Sequence, residues 1–128
     1  MRLICIGHTP LQYAALISMY FLYNTNVIKR QIEIIGERIE KELLPLVRSP
    51  SRYIGGEINH IKKDLDKCSV LTALCFPDVY EIGMSHTGMA ILYDILNKIE
   101  DVAAERVFCP WIDAEKVMRE KNIPMFSL

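Results

Sequence analysis

The sequence predicts an incomplete doubly wound α/β domain, in which about three parallel strands alternate with helices. Val70–Phe76 is a continuous apolar run that ends at Pro77-Asp78. Such a run is typical of a strand buried on both faces of a parallel sheet. Helical and strand patterns alternate after it, as they do in this fold class. Ile123–Leu128 is the third strand candidate, and we expect an uncovered sheet edge there.

A helix and a second strand are predicted between these two strands. Gly88–Lys98 carries apolar residues at helical spacing, and either Ser85 or Thr87 is placed to cap it. Ala103–Cys109 is the second and weaker strand candidate.

One more helix precedes the last strand. It is predicted over Ala114–Lys121, and Asp113 is placed to cap it. Val117 and Met118 are expected to face the core. Because parallel sheets bind ligands at the carboxyl ends of their strands, the site is expected in the segments that follow the first two strands.

An amphipathic helix is predicted over Val27–Val47. Its apolar residues recur at steps of three and four: Ile28, Ile32, Ile35, Ile39 and Leu43. The charged residues between them are expected to face solvent, with Glu37 and Lys41 paired one turn apart. Pro45 and Pro50 are expected to end the helix.

The next segment, Arg48–Asn59, is predicted to be a loop or hairpin. Gly55-Gly56 allows the positive φ that tight turns require. Arg52 and Tyr53 either contact a ligand or partner, or clamp the turn.

The N-terminal segment has no Lys, Arg, Asp or Glu from Leu3 to Ile28. A signal peptide would need a small-residue cleavage site, which does not follow it. A membrane span over Leu3–Tyr23 would be long enough, but His8, Pro10 and Gln12 argue against it. The third interpretation is a soluble strand, turn and helix over residues 2–6, 7–10 and 11–23.

Composition limits the function classes. The chain has 128 residues, 51% of them hydrophobic and 24% charged, so one packed domain is expected. A net charge of -1 gives no basic surface for nucleic acid and no polybasic membrane patch. We therefore predict no nucleic-acid partner.

The four cysteines form no C-x-x-C pair, which excludes a zinc ribbon or a thioredoxin-type motif. Cys75 and Cys109 lie in apolar runs and are expected to be buried thiols. Free buried thiols are typical of a reducing compartment, so we predict a cytoplasmic protein.

The joint between the first strand and the next helix, residues 77–88, is longer than the usual two to six residues. Gly83 and Gly88 would let a ligand approach the backbone, and the helix N-terminus would favour an anion. Asp78, Glu81 and His86 could ligate, transfer protons or bind a hydroxyl group, while a structural hydrogen bond is the alternative for His86. The glycines form neither G-x-G-x-x-G nor a P-loop.

Four blocks of the chain carry a family resemblance. They are Glu33–Pro45, Pro50–Asn59, Phe76-Pro77-Asp78-Val79-Tyr80-Glu81-Ile82-Gly83-Met84-Ser85-His86 and Ala103–Trp111. In this order they resemble the opening of a family of radical SAM proteins with a cobalamin-binding domain. The resemblance covers about residues 27–128. It implies a flavodoxin-like (Rossmann-like) domain followed by a barrel that holds a 4Fe–4S cluster and cleaves S-adenosylmethionine to a radical.

The resemblance also implies a cofactor site at the long joint. The cofactor-binding residues that we expect are Asp78, Tyr80, Glu81, Gly83, Ser85, His86 and Gly88. We assign no catalytic or metal-binding residue.

Two departures from the family pattern affect this implication. The C-x-x-x-C-x-x-C motif that binds the cluster is absent, so the chain is not expected to catalyse radical chemistry alone. In cobalamin domains D-x-H-x-x-G supplies the histidine below cobalt, and here Tyr80 stands at that position. His86, six residues further on, is the alternative nitrogen ligand.

The first hypothesis is therefore a fragment: the cobalamin-binding-type domain of a radical SAM enzyme, whose partner is the missing barrel or another subunit. Its parts would be an apolar segment (1–26) that need not be native to the family, the helix with the Gly-Gly loop (27–68), and the truncated α/β domain (69–128). One alternative is a non-enzymatic interaction module that docks through Val27–Val47 and the edge at Ile123–Leu128. The other is a domain tethered to a membrane through Leu3–Tyr23.

Overall fold

A computed structural model of the chain describes residues 18–21 and 25–128, with side chains from residue 30 onward. Three strands and four α-helices are found in this part of the chain. They are β1 (Ser18–Phe21), α1 (Thr25–Arg38), β2 (Val70–Phe76), α2 (Tyr80–Ser85), α3 (Thr87–Lys98), β3 (Val102–Phe108) and α4 (Ile112–Lys121). The predicted fold class, an incomplete α/β fold with a parallel sheet, is confirmed.

The sheet has the order β1-β2-β3. β2 and β3 run parallel in a register that places Val70 beside Val102 and Phe76 beside Phe108. β1 pairs with the other edge of β2 and runs antiparallel to it. The middle position of Val70–Phe76 is thus as expected, but only one of its two neighbours is parallel.

The predicted third strand, Ile123–Leu128, is wrong. This segment forms no ladder within the described sheet. The Leu128 amide donates a single hydrogen bond to the Arg106 carbonyl of β3 over 3.1 Å. The short apolar sequence satisfies a strand pattern, yet its side chains pack elsewhere. Ile123 is buried in a helical core, and Phe126 packs against the same core.

The helix predicted over Val27–Val47 is confirmed in its extent. α1 continues as a π-helical turn over Ile39–Leu43 and a 3₁₀ turn over Leu44–Leu46, after which the backbone is extended at Val47. Ile39 and Leu43 are buried as expected, whereas Ile32 is 52% exposed and does not belong to the core.

This helical segment packs against α4 and forms the first of two apolar clusters. Its buried members are Ile39, Leu43, Val47, Ala114, Val117, Met118 and Ile123. The inward positions predicted for Val117 and Met118 are confirmed. Arg38, predicted to lie on the solvent face, instead donates hydrogen bonds to the carbonyls of Lys121 (2.6 Å) and Asn122 (3.2 Å) and so caps the C-terminus of α4.

The second cluster lies between α3 and one face of the parallel strands. Its buried members are Leu74, Met89, Tyr93 and Ala104. Within β2 only Thr72 and Leu74 are buried and the other residues are half-buried, so the expected burial of this strand on both faces is only partly observed. The α3 side of the sheet is therefore the better covered side.

Of the three interpretations of the N-terminal segment, the structure addresses one in part. Ser18–Phe21 is a strand, so the helix predicted over residues 11–23 is wrong at these positions. An apolar run of this length satisfies both a strand and a buried helix, because periodicity alone does not separate them. The strand and turn predicted over residues 2–10 lie outside the described residues. Among the helices of the described part, none is long and apolar enough to cross a membrane.

Candidate functional site at the carboxyl ends of the parallel strands

The two parallel strands end side by side, at Phe76 and Phe108. The segments that follow them therefore begin at the same edge of the sheet, where parallel sheets bind ligands. The Cys109 amide donates to the Asp78 carbonyl over 2.9 Å and ties the two segments together. Cys109 itself is exposed, contrary to the expected burial, because it lies one residue beyond the end of β3.

The long joint after β2 contains a short helix, α2, rather than an open loop. The Asp78 carboxylate accepts a hydrogen bond from the Val79 amide (2.7 Å) at the start of this helix. Gly83 is buried on the inner side of α2, where a Cβ atom would lie 2.3 Å from two ring carbons of Phe108 and 3.2 Å from a ring carbon of Phe76. The glycine thus lets the helix approach the strand ends.

Tyr80 lies on the same side of α2 as Gly83. Its ring meets the Phe108 ring edge to face, with 5.8 Å between the centroids. Burial, followed by the charge of Glu57 and a hydrogen bond with that side chain, raises the pKa of the Tyr80 phenol. Tyr80 is therefore a neutral, packed side chain at neutral pH.

Glu81 and Ser85 lie on the exposed side of the joint. The Glu81 carboxylate pairs with Arg52, with 2.6 Å between Oε1 and Nε. The Ser85 hydroxyl donates to the Ile82 carbonyl (2.9 Å) and does not cap α3.

His86, not Ser85 or Thr87, caps α3. Its Nδ1 accepts a hydrogen bond from the Met89 amide over 3.2 Å, and its ring lies 4.9 Å from the Phe76 ring. A Cβ atom at Gly88 would lie 3.0 Å from the imidazole, so the small residue leaves room for the capping histidine. The observed contact of His86 is thus the structural hydrogen bond that was the alternative to a ligand-binding role.

Arg52 and Tyr53 both contact Trp111, in the segment that follows β3. The Arg52 guanidinium lies 4.9 Å from the centre of the Trp111 ring, and the Tyr53 hydroxyl accepts a hydrogen bond from the Trp111 amide (3.1 Å). These residues belong to a 3₁₀ turn over Pro50–Tyr53 and not to a hairpin. Gly55 and Gly56 follow with φ of +70° and +84°, which confirms the expected positive φ.

Asp113 is not the N-cap of α4, because the helix begins one residue earlier, at Ile112, and Trp111 is its N-cap. Its carboxylate accepts hydrogen bonds from the amides of Arg48 (2.8 Å) and Ala114 (2.8 Å). These bonds, the Arg48 contact first, lower the pKa of the Asp113 carboxyl group. The residue therefore fastens the end of the long helical segment to α4.

The cavity enclosed at this edge is small. It lies between the segments after β2 and β3 and the C-terminal residues, and its walls include Tyr53, Tyr80, Phe108, Trp111 and Phe126. Its volume is about 20 Å³, close to the space that one water molecule needs.

A buried charged cluster beside the edge was not predicted from the sequence. Arg106 on β3 is 3% exposed, and its guanidinium lies 4.2 Å from the centre of the Tyr93 ring. Its Nη2 is 3.6 Å from Glu57 Oε2, which is an ion pair too long to be a direct hydrogen bond. Nη1 donates to Asn59 over 3.4 Å.

Glu105 precedes this arginine, and burial raises the pKa of its carboxyl group to about 7. One signal was available in the sequence: Glu105-Arg106 is a charged pair inside an otherwise apolar strand.

 

Glu57 lies 48 residues before Glu105 and 49 residues before Arg106. No local sequence pattern pairs residues so far apart, so only the folded chain reveals this contact.

The structure thus brings the predicted site residues together on one joint but gives each of them a structural contact. Among the described residues, no group of three or more His, Cys, Asp or Glu side chains is arranged to hold a metal ion. Whether any of these residues binds a cofactor stays a prediction.

Comparison with known families adds one finding. Residues 88–128 match the model of the family described as radical SAM proteins, N-terminal. The match covers about a third of the chain and includes nearly all of α3, β3 and α4. It supports a radical SAM-related fragment. No curated protein and no solved structure matches the chain.

The residues at this edge do not fit a cobalamin whose cobalt is held by a protein nitrogen. Tyr80 occupies the histidine position of the motif, and its ring is packed against Phe108. The alternative ligand, His86, uses Nδ1 to cap α3.

Proposed function

We propose that this chain provides the N-terminal α/β domain of a radical SAM protein and does not carry out radical chemistry by itself. The observation that carries the proposal is the family match over residues 88–128, which coincides with the packed α3, β3 and α4 elements. Three of the four sequence blocks, between residues 33 and 86, lie outside this match and support the proposal independently.

The division of roles follows from the chemistry of the chain. A 4Fe–4S cluster needs a set of cysteine thiolates, and the sequence has no C-x-x-x-C-x-x-C motif to supply them. The cluster and the S-adenosylmethionine site would therefore belong to a radical SAM barrel.

Anaerobic reconstitution of the full 128-residue chain with iron and sulfide tests the non-catalytic role. We expect no stable cluster absorbance and no methionine released from S-adenosylmethionine after reduction. A stable cluster together with methionine release would contradict the proposal.

Corrinoid binding is tested separately, by titrating the full chain into hydroxocobalamin and following its visible spectrum. Because Tyr80 stands at the histidine position of the motif and Nδ1 of His86 caps α3, we expect the spectrum to stay unchanged. A saturable spectral shift would show that the domain binds a corrinoid. A shift that is lost in His86→Asn would identify the ligand, and it would leave the radical SAM relationship intact.

A further inference from the structure

The outer edge of β3 is bonded by two side chains and one backbone amide instead of a neighbouring strand. Its inner edge is paired with β2, so the outer backbone groups of alternate residues need other partners. The Val102 carbonyl accepts from Lys63 Nζ (2.7 Å), and the Arg106 carbonyl accepts from the Leu128 amide (3.1 Å). Between them lies Ala104, whose amide and carbonyl both bond to Asn97.

Asn97 reproduces the hydrogen bonds of a strand. Its Nδ2 donates to the Ala104 carbonyl (3.0 Å), and its Oδ1 accepts from the Ala104 amide (3.0 Å). A carboxamide has the same donor and acceptor as a peptide group, so it satisfies both outer groups of one residue. The second Nδ2 hydrogen goes to the Tyr93 carbonyl one turn earlier in α3, also over 3.0 Å.

The burial of Asn97 shows that this contact is part of the packed structure. The residue is 6% exposed, and Ala104 is 1% exposed. A buried polar side chain is tolerated when its hydrogen bonds are made, and here both ends of the carboxamide are bonded. The small side chain of Ala104 belongs to the same cluster as Tyr93. Tyr93 lies one helical turn before Asn97 in α3.

Lys63 extends the closure towards the start of β3. Its ammonium group donates to the carbonyls of Ile99, Glu100 and Val102, so one side chain bonds the end of α3 and the first residue of the strand. Three donors are all that an ammonium group has. Lys63, Asn97 and the Leu128 amide together therefore bond the outer carbonyls of Val102, Ala104 and Arg106.

We propose that Asn97 and Lys63 lock the edge of β3 and prevent it from pairing with β3 of a second copy of this chain. An unpaired strand edge is a template for strand addition, and a strand edge whose groups are already bonded is not. The inference goes beyond the proposed function, because it concerns self-association and does not depend on the radical SAM relationship.

The test compares the full chain with Asn97→Ala by sedimentation and by amide hydrogen exchange. We expect Asn97→Ala to associate more strongly than the wild type at equal concentration. At dilutions where it is monomeric, the Ala104 amide should exchange at least about tenfold faster than in the wild type. Val117→Ala is the matched control, because it weakens the other apolar cluster and leaves the edge intact.

The proposal is overturned if Asn97→Ala associates no more than the wild type, or if Val117→Ala associates to the same extent. If Asn97→Ala does not fold, Lys63→Met provides the same comparison, because it frees the Val102 carbonyl and leaves Asn97 in place. Increased association of Lys63→Met supports the lock, and unchanged association overturns it.

Discussion

Gly83 lies so close to Phe108 that a Cβ atom at position 83 would be 2.3 Å from two carbons of the ring. The contact joins α2 to the end of β3 and places the long joint over the carboxyl edge. Gly83→Ala should therefore destabilise the fold by about 1–3 kcal/mol, because the ring or the helix has to move. Urea unfolding measures this change in the free energy of unfolding.

Gly36→Ala is the matched control for that substitution. Gly36 is also helical, but a Cβ atom there would meet nothing within 4 Å. Alanine should stabilise the helix by up to about 1 kcal/mol. If both substitutions changed the stability equally, the close approach at Gly83 would not be the cause.

The capping role of His86 predicts which substitutions preserve stability. His86→Ala removes the acceptor for the Met89 amide and should cost about 1 kcal/mol, whereas His86→Asn should retain most of the stability. Thermal unfolding of the two variants measures the difference. Equal losses in both would argue that the imidazole does something other than cap α3.

The ion pair between Arg106 and Glu57 is buried, so removing one partner should be more harmful than removing both. Arg106→Met leaves the Glu57 carboxylate, which is only 11% exposed, without its cation. The variant should therefore destabilise the folded chain by about 3–5 kcal/mol. The double variant, Arg106→Met with Glu57→Met, should lose less free energy of unfolding than the two single variants lose when their losses are added. A double-mutant cycle from urea unfolding tests this, and additive effects would contradict a direct coupling.

Glu105 should make stability depend on pH. Burial raises the pKa of its carboxyl group from 4.5 to about 7 in the folded chain, so the folded state binds a proton that the unfolded state has released. The contribution of Glu105 to stability is therefore fully present below about pH 4.5 and falls as the pH rises to about 7. The loss should be roughly 1–3 kcal/mol, and it should be absent in Glu105→Gln.

Unfolding followed between pH 4.5 and 8 in both proteins isolates this effect from other titrating groups. The difference in the free energy of unfolding between Glu105→Gln and the wild type should increase with pH over that range. A difference that does not change with pH would mean that the carboxyl group titrates normally in the folded chain.

The periodicity of apolar residues predicted the strands and helices whose formation depends on neighbouring residues in the sequence. The apolar run Val70–Phe76 and the periodic helix over residues 27–47 were found where predicted, because strand and helix periodicity are properties of the segment itself. The position of the candidate site at the carboxyl edge followed from the chain order of β2, α3 and β3.

Contacts between distant segments could not be predicted in this way. Ile123–Leu128 has the sequence of a strand, but the outer edge of β3 is already bonded by Asn97 and Lys63. His86 caps α3 although serine and threonine flank it, and its ring also packs on Phe76, which lies outside the local pattern of cap residues. The pairing of β1 with β2 and of Glu57 with Arg106 likewise depends on the folded chain.

The transcript that encodes the chain provides the most direct test of the proposed radical SAM relationship. Its sequence beyond the codon for Leu128 can be read in all three frames. We predict an in-frame or frameshifted continuation that encodes C-x-x-x-C-x-x-C within a barrel-length sequence. A continuation in which no frame encodes that motif would contradict the assignment of this chain as the N-terminal domain of a radical SAM protein.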